Sequence, residues 1–419
     1  MLLSVITPLH EPGNAYVAEA YASLCRQTHR NWQWVVLENA GGSLPTSIAE
    51  DPRVVRLSSA LTGIGALKRA ACLASDGEAI VELDADDVLA DDALEQLAEA
   101  FGAGADFVFS DFAEFRDEAG ASWPGYPYGA SYGWEHYTVE HRGRTLVAMR
   151  APPATAQNLR RIEWSPNHVR AWTREAYEAV GGHDPKLAVA DDHDLVVRFY
   201  LASRRFVRLG ACLYFYRVHP RNTVRTQNRQ IREGTDRVYR AHGRALAEAW
   251  ARHNELGLID LCGGVDPALG YLPVDRHTDV GLECDLDGPW PIADGSVGVI
   301  RASDAVEHLR DPVHTMNEAW RVLAPGGYLL VDVPSTNGLG AFCDPTHVSF
   351  WNRLSFRYYT EARFARYVPA FRGRFQLLHL DEHYPTQWHR NENVPYVTAH
   401  LAALKPGYEP MGILGWPRD

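Results

Sequence analysis

Over residues 1–110 the apolar positions follow two alternating periods. Leu2–Thr7, closed by Pro8, is a short apolar-rich run, as are Trp34–Leu37, Val54–Leu57, Ala79–Leu83 and Phe107–Ser110. Each has the length of a buried strand. Between them lie stretches with helical spacing. In residues 14–26, Tyr16, Ala20 and Leu24 recur every fourth position; Gly63–Ser75 is alanine-rich; Asp91–Phe101 carries acids in its first turn. Strands alternating with helices predict a parallel α/β sheet.

Residues 112–160 break the rhythm. They are rich in Gly, Pro, Trp and Tyr, as in Trp123-Pro124-Gly125-Tyr126-Pro127-Tyr128, and predict a long excursion outside the sheet. Residues 227–256 are polar and Arg-rich, with Ile231, Val238, Ala245 and Ala249 near helical spacing, which predicts a connecting helix. A second alternation follows. Leu258–Leu261 enters a Gly263-Gly264 turn, Tyr271–Val274 ends in Asp275, and Val297–Ala302 and Tyr328–Val333 are further strands. Asp311-Pro312 reads as an N-cap with Pro in the first turn, and Val313, Met316, Trp320 and Leu323 form one helical face stopped by Pro325-Gly326-Gly327. The expected organisation is a first α/β domain over 1–240, a linking helix over 241–256, a second α/β domain over 257–405 and a tail over 406–419, with no repeat relating the two.

Composition narrows the function class. At about 100–200 residues per domain, 419 residues make two or three domains. With 46% apolar and 22% charged residues, wholesale disorder is excluded. A net charge of −12 argues against nucleic acid as a partner, since phosphate backbones favour basic surfaces. No apolar run approaches the ~18 residues of a membrane-spanning helix. The start, Leu2-Leu3-Ser4-Val5-Ile6-Thr7, lacks a basic segment or cleavage site and reads as a strand rather than a signal peptide. Six cysteines with no C-x-x-C pair fit reduced thiols. A cytoplasmic location is expected, with peripheral contact at the inner face of a membrane left open.

The first cluster with chemistry is Glu82-Leu83-Asp84-Ala85-Asp86-Asp87, a set of carboxylates leaving an apolar strand. That edge of an open α/β sheet is where ligands bind, and alternate carboxylates there can hold a hard cation that neutralises a diphosphate. A solvated acidic turn capping the next helix is the competing reading. Further pieces follow: Val5-Ile6-Thr7-Pro8, Ser23–Trp32, Ala179-Val180-Gly181-Gly182-His183-Asp184, Asp191-Asp192-His193-Asp194-Leu195 and Tyr216-Arg217-Val218-His219-Pro220. In this order, over residues 1–225, they resemble the family-two inverting GT-A glycosyltransferases.

The resemblance implies roles. Pro8, Glu11 and Glu38 would line the base and ribose pocket of a nucleoside-diphosphate sugar, and Lys68 would lie near the diphosphate. Asp84 and Asp86 would form the Mg²⁺ or Mn²⁺ pair, with His219 reaching metal or phosphate. Asp192 would be the base that deprotonates the acceptor hydroxyl, with Asp191 beside it. The family has Glu-Asp where Asp191-Asp192 stands, so the choice between the two stays open. Asp191, Asp192 and Asp194 also suit a helix N-terminus simply as acids. His168 lies near the family's acceptor site, in Ser165–Trp172, whereas Trp172 reads better as core. Aromatics make up 11% of the chain, and Trp123, Tyr126, Tyr128, Tyr132, Trp134 and Tyr137 crowd the excursion. They are expected either to stack on a sugar acceptor or to pack the excursion as a small core.

In the second alternation Asp260-Leu261-Cys262-Gly263-Gly264 ends a strand, and Asp275 ends the next. A glycine turn lets a backbone approach a cofactor, and an acid there can accept ribose hydroxyls, although the turn alone reads better as a plain tight turn. Together with Asp285–Ser296, Val306-Glu307-His308-Leu309, Arg321–Gly327 and Asp344-Pro345-Thr346-His347, these residues resemble class I S-adenosylmethionine-dependent methyltransferases of a short bacterial type. The resemblance implies that Asp260, Gly263, Gly264 and Asp275 lie at the methionine and ribose of S-adenosylmethionine, and Asp285 and Leu286 at its adenine. His347 is the first candidate base for a sugar hydroxyl, ahead of Asp344 and His308; a structural hydrogen-bonding role is the alternative. Cys262 stands where the pattern has Gly.

The fold expected is therefore α/β: a GT-A nucleotide-diphospho-sugar transferase fold followed by a Rossmann-like methyltransferase fold. The expected function is transfer of a sugar to a glycan or glycoconjugate hydroxyl, joined to sugar O-methylation. A glycosyltransferase with a degenerate binding or oligomerisation module is the alternative. The intact acids over 84–87 and 191–194 argue against a scaffold without catalysis.

Overall fold

The computed structural model describes residues 1–117, 135–159, 166–264 and 266–408. They divide into two compact units, one ending at Gly243 and the other starting at Arg244. The expected connecting helix is Asn228–His253, which runs through this division.

Among its described residues the first unit contains ten strands: β1 (Leu3–Leu9), β2 (Trp32–Glu38), β3 (Val54–Ser58), β4 (Ala79–Glu82), β5 (Val88–Leu89), β6 (Phe107–Phe115), β7 (Glu135–His141), β8 (Arg144–Arg150), β9 (Arg170–Thr173) and β10 (Phe206–Arg217). They form one sheet in the order β3-β2-β1-β4-β9-β6-β10-β5, with β8 pairing β6 and β7. The parallel half is as expected: β1 is flanked by β2 and β4, and its core residues Leu3, Val5 and Ile6 are buried. Helices Val17–Arg26, Ile64–Leu73 and Ala93–Gly102 supply the crossovers.

Three features depart from the purely parallel expectation, the smallest being β5, which pairs antiparallel with β10 at the sheet edge. Strand β9 inserts antiparallel between β4 and β6, placing the fully buried Trp172 against Phe107 and Tyr177. The excursion is also not wholly outside the sheet. Strand β6 runs on to Phe115, and the β7–β8 hairpin returns to pair with it at Phe112 and Ala113. Leu146 and Ala148 bury against Val88 and Phe215, with Tyr137 packed beside them. Leu146, Ala148 and Met149 of β8 are buried, giving the hairpin an apolar face to cover.

The second unit contains β11 (Gly257–Leu261), β12 (Leu272–Asp275), β13 (Leu282–Glu283), β14 (Val297–Ser303), β15 (Leu323–Pro334), β16 (Phe375–His383) and β17 (Tyr396–Ala403), in the order β13-β12-β11-β14-β15-β17-β16. The first five are parallel, and β17 and β16 are antiparallel additions. The helix Pro312–Val322 begins as expected: the Asp311 carboxylate accepts from the Val313 and His314 amides, and Pro312 occupies the first turn. Arg321 holds the Asp285–Ser296 segment by donating to the Trp290 and Ile292 carbonyls and to Asp294. Trp290 and Leu286 thereby enter the core around Val274, Ile300 and Leu329. Among the described residues, no helix is long and apolar enough to cross a membrane.

Candidate functional site

A cavity of about 550 Å³ opens in the first unit at the C-terminal ends of β1 and β4. Its wall includes Pro8, Lys68, Asp84, Asp86, His168, Arg170, Asp191, Asp192 and His219. These residues lie up to 211 positions apart (219 − 8) and are gathered by sheet topology alone. Two residues expected at the nucleotide do not line it. Glu38 is buried, accepting from the Leu44 amide at 2.6 Å and pairing with Arg56 at 2.9 Å. Glu11 is exposed and pairs with Arg221 at 3.3 Å. Their neighbours His10, Pro12, Asn39 and Ala40 supply the wall instead.

One side of the cavity is the acidic turn after β4. Asp87 points inward, fully buried, and accepts from Tyr214 Oη and the Arg217 amide at 2.7 Å each. Asp84 and Asp86 face the cavity. Burial, together with the charges of Asp86 and Glu82, pushes the Asp84 carboxyl up to about 6. Two like charges held this closely are what a cation would reconcile, so these residues fit a divalent ion. His219 reaches Asp86 Oδ2 with Nε2 at 2.8 Å and stacks on Tyr16. Its Nδ1 accepts from the Arg221 amide at 3.2 Å, which leaves Nε2 to donate to Asp86.

The opposite side is the first turn of helix Asp191–Leu201. Arg170 ties it to β4. The register pairs Ala171 with Val81, so Arg170 comes opposite Glu82. Arg170 Nε donates to Glu82 Oε2 and Nη1 to Asp192 Oδ2, both at 2.7 Å. Lys68 Nζ lies 3.1 Å from Glu82 and 3.4 Å from Asp191, and His183 Nε2 lies 3.2 Å from Glu82. Burial alone would raise the Glu82 carboxyl, but Lys68, Arg170 and His183 hold it well below the ordinary range.

The two neighbouring aspartates divide. Asp191 has a 4% exposed side chain and burial raises its carboxyl. Asp192 is 32% exposed; burial would raise it too, but Arg170 and Lys68 hold it below the ordinary range. Asp192 is therefore a carboxylate at neutral pH with one edge turned to the cavity. The Lys68 ammonium, expected near a diphosphate, lines the cavity but is already paired with two carboxylates.

His168 lines the cavity in an aromatic stack on Tyr214 (4.2 Å between ring centres) and Tyr216 (5.5 Å), and burial keeps it neutral. Trp123, Tyr126, Tyr128, Tyr132 and Trp134 lie outside the described residues. Tyr137 donates to Asp111 at 2.9 Å and packs in the hairpin core. Glu82, Arg170 and His183 were visible in the sequence only as members of runs. A charged residue inside the apolar run Val169–Trp172 was the available signal for Arg170.

In the second unit the turn after β11 lies against Asp275, whose Oδ2 accepts from the Gly264 amide at 3.2 Å. A Cβ on Gly264 would come within 2.5 Å of the His277 carbonyl and 2.9 Å of the Asp275 carboxyl carbon. Cys262 adopts φ +56°, a left-handed conformation natural to glycine. The glycine-type turn is thus kept despite the side chain, and with Asp275 it fits the S-adenosylmethionine cradle. The other expected contacts are engaged elsewhere. Asp260 is fully buried, accepting from Arg301 Nη1 at 2.8 and 2.9 Å and from the Ala268 amide at 2.9 Å. Leu286 is core, and Asp285 is exposed and paired with Arg276 at 2.6 Å. His347 and Asp344 follow β15.

Comparison with known proteins follows the same division. Residues 4–158 match the family model "Glycosyl transferase family 2", and residues 245–331 match "Methyltransferase domain". A curated relative, the O-antigen biosynthesis protein RfbC of Myxococcus xanthus, is 25% identical over 264 residues, covering 61% of this chain. The chain spans only 18% of that protein's length. Among solved structures, TarS 1–349 of S. aureus in complex with UDP-GlcNAc aligns at a TM-score of 0.44 and 18% identity, over 61% of this chain and 72% of that one. The mannosyltransferase PcManGT from Pyrobaculum calidifontis, in complex with GDP-Man and Mn²⁺, aligns at 0.40 and 16%, over 58% and 64%. The chain carries a glycosyl transferase family 2 domain at its N-terminus and a methyltransferase domain towards its C-terminus.

Proposed function

We propose that the first unit transfers a sugar, with inversion, from a nucleoside-diphosphate sugar to a hydroxyl of a glycan or glycoconjugate. The observation that carries this reading is the meeting, across one cavity, of the Asp84–Asp86 pair with the exposed edge of Asp192. Asp84 and Asp86 would hold Mg²⁺ or Mn²⁺, which when bound offsets the charge of the departing diphosphate. His219 orients Asp86; Arg170 holds Asp192 Oδ2 and the His193 amide holds Oδ1 at 2.8 Å, and the exposed edge of the carboxylate is left to take the acceptor proton. O-antigen or a similar surface polysaccharide is a fitting acceptor class, given the curated relative. The test is a panel of nucleoside-diphosphate sugars with Mg²⁺ or Mn²⁺, scored for donor hydrolysis and transfer. Full metal response in Asp86→Ala would refute the metal assignment.

The second unit, on the same reading, methylates a sugar hydroxyl. Bound S-adenosylmethionine supplies an electrophilic methyl group, and the turn at Gly263-Gly264 with Asp275 positions it. The side chain that Cys262 adds at this turn favours one alternative, a methyltransferase fold retained for acceptor binding or oligomerisation rather than for the cofactor. Calorimetry of S-adenosylmethionine with the full chain separates them, because a non-catalytic relic gives no heat at millimolar cofactor.

A further inference from the structure

We propose that Glu307, His308 and His347 form a binding site for a divalent transition-metal ion, with Zn²⁺ as the first choice. Glu307 is 2% exposed, and among the described residues neither of its carboxylate oxygens has a well-formed hydrogen bond, only the nearby backbone amides of Ala305 and Glu307 itself. Buried carboxylates are almost always satisfied, so an orphaned pair of oxygens points to a missing ligand. Two imidazoles stand close enough to complete it. One donor atom from each of Glu307, His308 and His347 lies within 4.8 Å of the others. His347 Nε2 is 4.0 Å from Glu307 Oε1 and 4.0 Å from Asp344 Oδ2, which offers a fourth donor.

The second nitrogen of each ring supports the assignment. His347 Nδ1 faces the Ala341 carbonyl at 3.1 Å, and His308 Nδ1 faces the Thr346 carbonyl at 3.3 Å and Thr346 Oγ1 at 3.1 Å. A carbonyl only accepts, so both hydrogens belong on Nδ1, and both Nε2 lone pairs are left for a metal. This backing of a ligand histidine by a carbonyl is the usual arrangement at metal sites. The Thr346 hydroxyl donates to Asp344 Oδ1 at 2.6 Å, leaving Oδ2 uncommitted to that bond. The Val348 and Ser349 amides donate to the Glu307 carbonyl at 2.8 and 3.0 Å and pin the two segments together. Two imidazoles and a carboxylate suit Zn²⁺ or a neighbouring first-row ion better than Mg²⁺. Tetrahedral bonds of about 2.0–2.1 Å set donors roughly 3.3 Å apart, so closure needs only small rotamer adjustments.

The site follows β14, neighbour of β11, whose terminal turn carries Cys262 and Gly263. An ion there would bind an acceptor hydroxyl and lower its pKa. That role rests on the methylation reading; metal binding itself does not, and His347 becomes a ligand rather than a free base.

The test uses the full chain, stripped with chelator and titrated with Co²⁺ as a Zn²⁺ probe, read by visible ligand-field bands, and with Zn²⁺ by equilibrium dialysis. One ion beyond any held at Asp84 and Asp86 should bind without S-adenosylmethionine. Glu307→Gln and His347→Ala should weaken it by about 100-fold or more, and Thr346→Val, which removes the hydroxyl between His308 and Asp344 but keeps the carbonyl behind His308, by about 10-fold. Asp86→Ala, in the other unit, should leave this ion in place. Absence of bound ion at about tenfold excess, or binding insensitive to Glu307→Gln and His347→Ala, overturns the proposal. Should either variant unfold, X-ray absorption of the Co²⁺-loaded wild type decides: fewer than two imidazoles around the ion overturns it. Cofactor calorimetry on the same samples separates failure of the metal site from failure of the methylation reading.

Discussion

Replacing Arg170 by Met tests the electrostatic design of the first cavity. Arg170 is 7% exposed at its side chain and bridges Glu82 and Asp192 at 2.7 Å each. Removing one partner of a buried ion pair costs about 3–5 kcal/mol. Glu82 retains Lys68 at 3.1 Å and His183 at 3.2 Å, so a loss of about 2–3 kcal/mol is expected. For a unit of this size that lowers its melting transition by about 4–12 °C. The informative readout is the pH profile of donor hydrolysis. Asp192 is held below the ordinary carboxylate range by Arg170 and Lys68 against its burial. Without the guanidinium its protonated form gains, and the acid limb of kcat/KM should move up by about 1–3 pH units. Arg170→Lys should recover the charge but not the bridge, moving the limb less. An unmoved acid limb in a folded Arg170→Met protein would refute the assignment of Asp192 as the group whose ionisation limits the rate.

Asp192→Asn should lower transfer by about 10²–10⁴-fold while donor affinity, read by calorimetry, stays nearly unchanged; a small effect on transfer sinks the base assignment. Gly264→Ala should destabilise the second unit by about 1–3 kcal/mol and weaken S-adenosylmethionine binding, because the added methyl meets the His277 carbonyl; unchanged melting would contradict the tight turn. His193 is buried and its imidazole is lowered by burial to about 4 from an ordinary 6.5. It must stay neutral in the fold, so stability present above pH 6.5 should fall by up to about 3 kcal/mol as pH drops from 6.5 to 4. In His193→Gln that part of the pH dependence of unfolding should flatten.

The strands and crossover helices were legible because their apolar runs are short, contiguous and punctuated by Pro or Gly. The place of Asp84 and Asp86 on the cavity wall was legible because acids directly after a buried strand have few structural uses. What escaped was tertiary. The antiparallel insertion of β9 leaves no local mark, since an apolar run such as Val169–Trp172 reads the same in either direction. Arg170 and Glu82 meet only through that register. Glu38 was expected at the base pocket, but its carboxylate is turned to Leu44 and Arg56. Asp260 likewise lies at the right strand end, with Arg301 closing over it. Spacing fixes which edge a residue occupies and not which way its side chain is taken up by neighbours.

The neutralised state of Lys68 has a thermodynamic consequence. Lys68 and Arg170 are the buried cations of the cavity wall, and both are matched by carboxylates before any donor arrives. On the proposed reading, a diphosphate entering beside Asp84 and Asp86 would therefore meet net negative charge, and a divalent ion entering alone would find only the carboxylates of the protein as anionic ligands. Each ligand relieves what the other lacks. Their affinities are then coupled by one free energy that works equally in both directions: raising the metal concentration tightens the nucleotide, and saturating nucleotide tightens the metal by the same factor. On the proposed reading, the cavity would behave as a gate that admits the ion and the sugar donor as a pair.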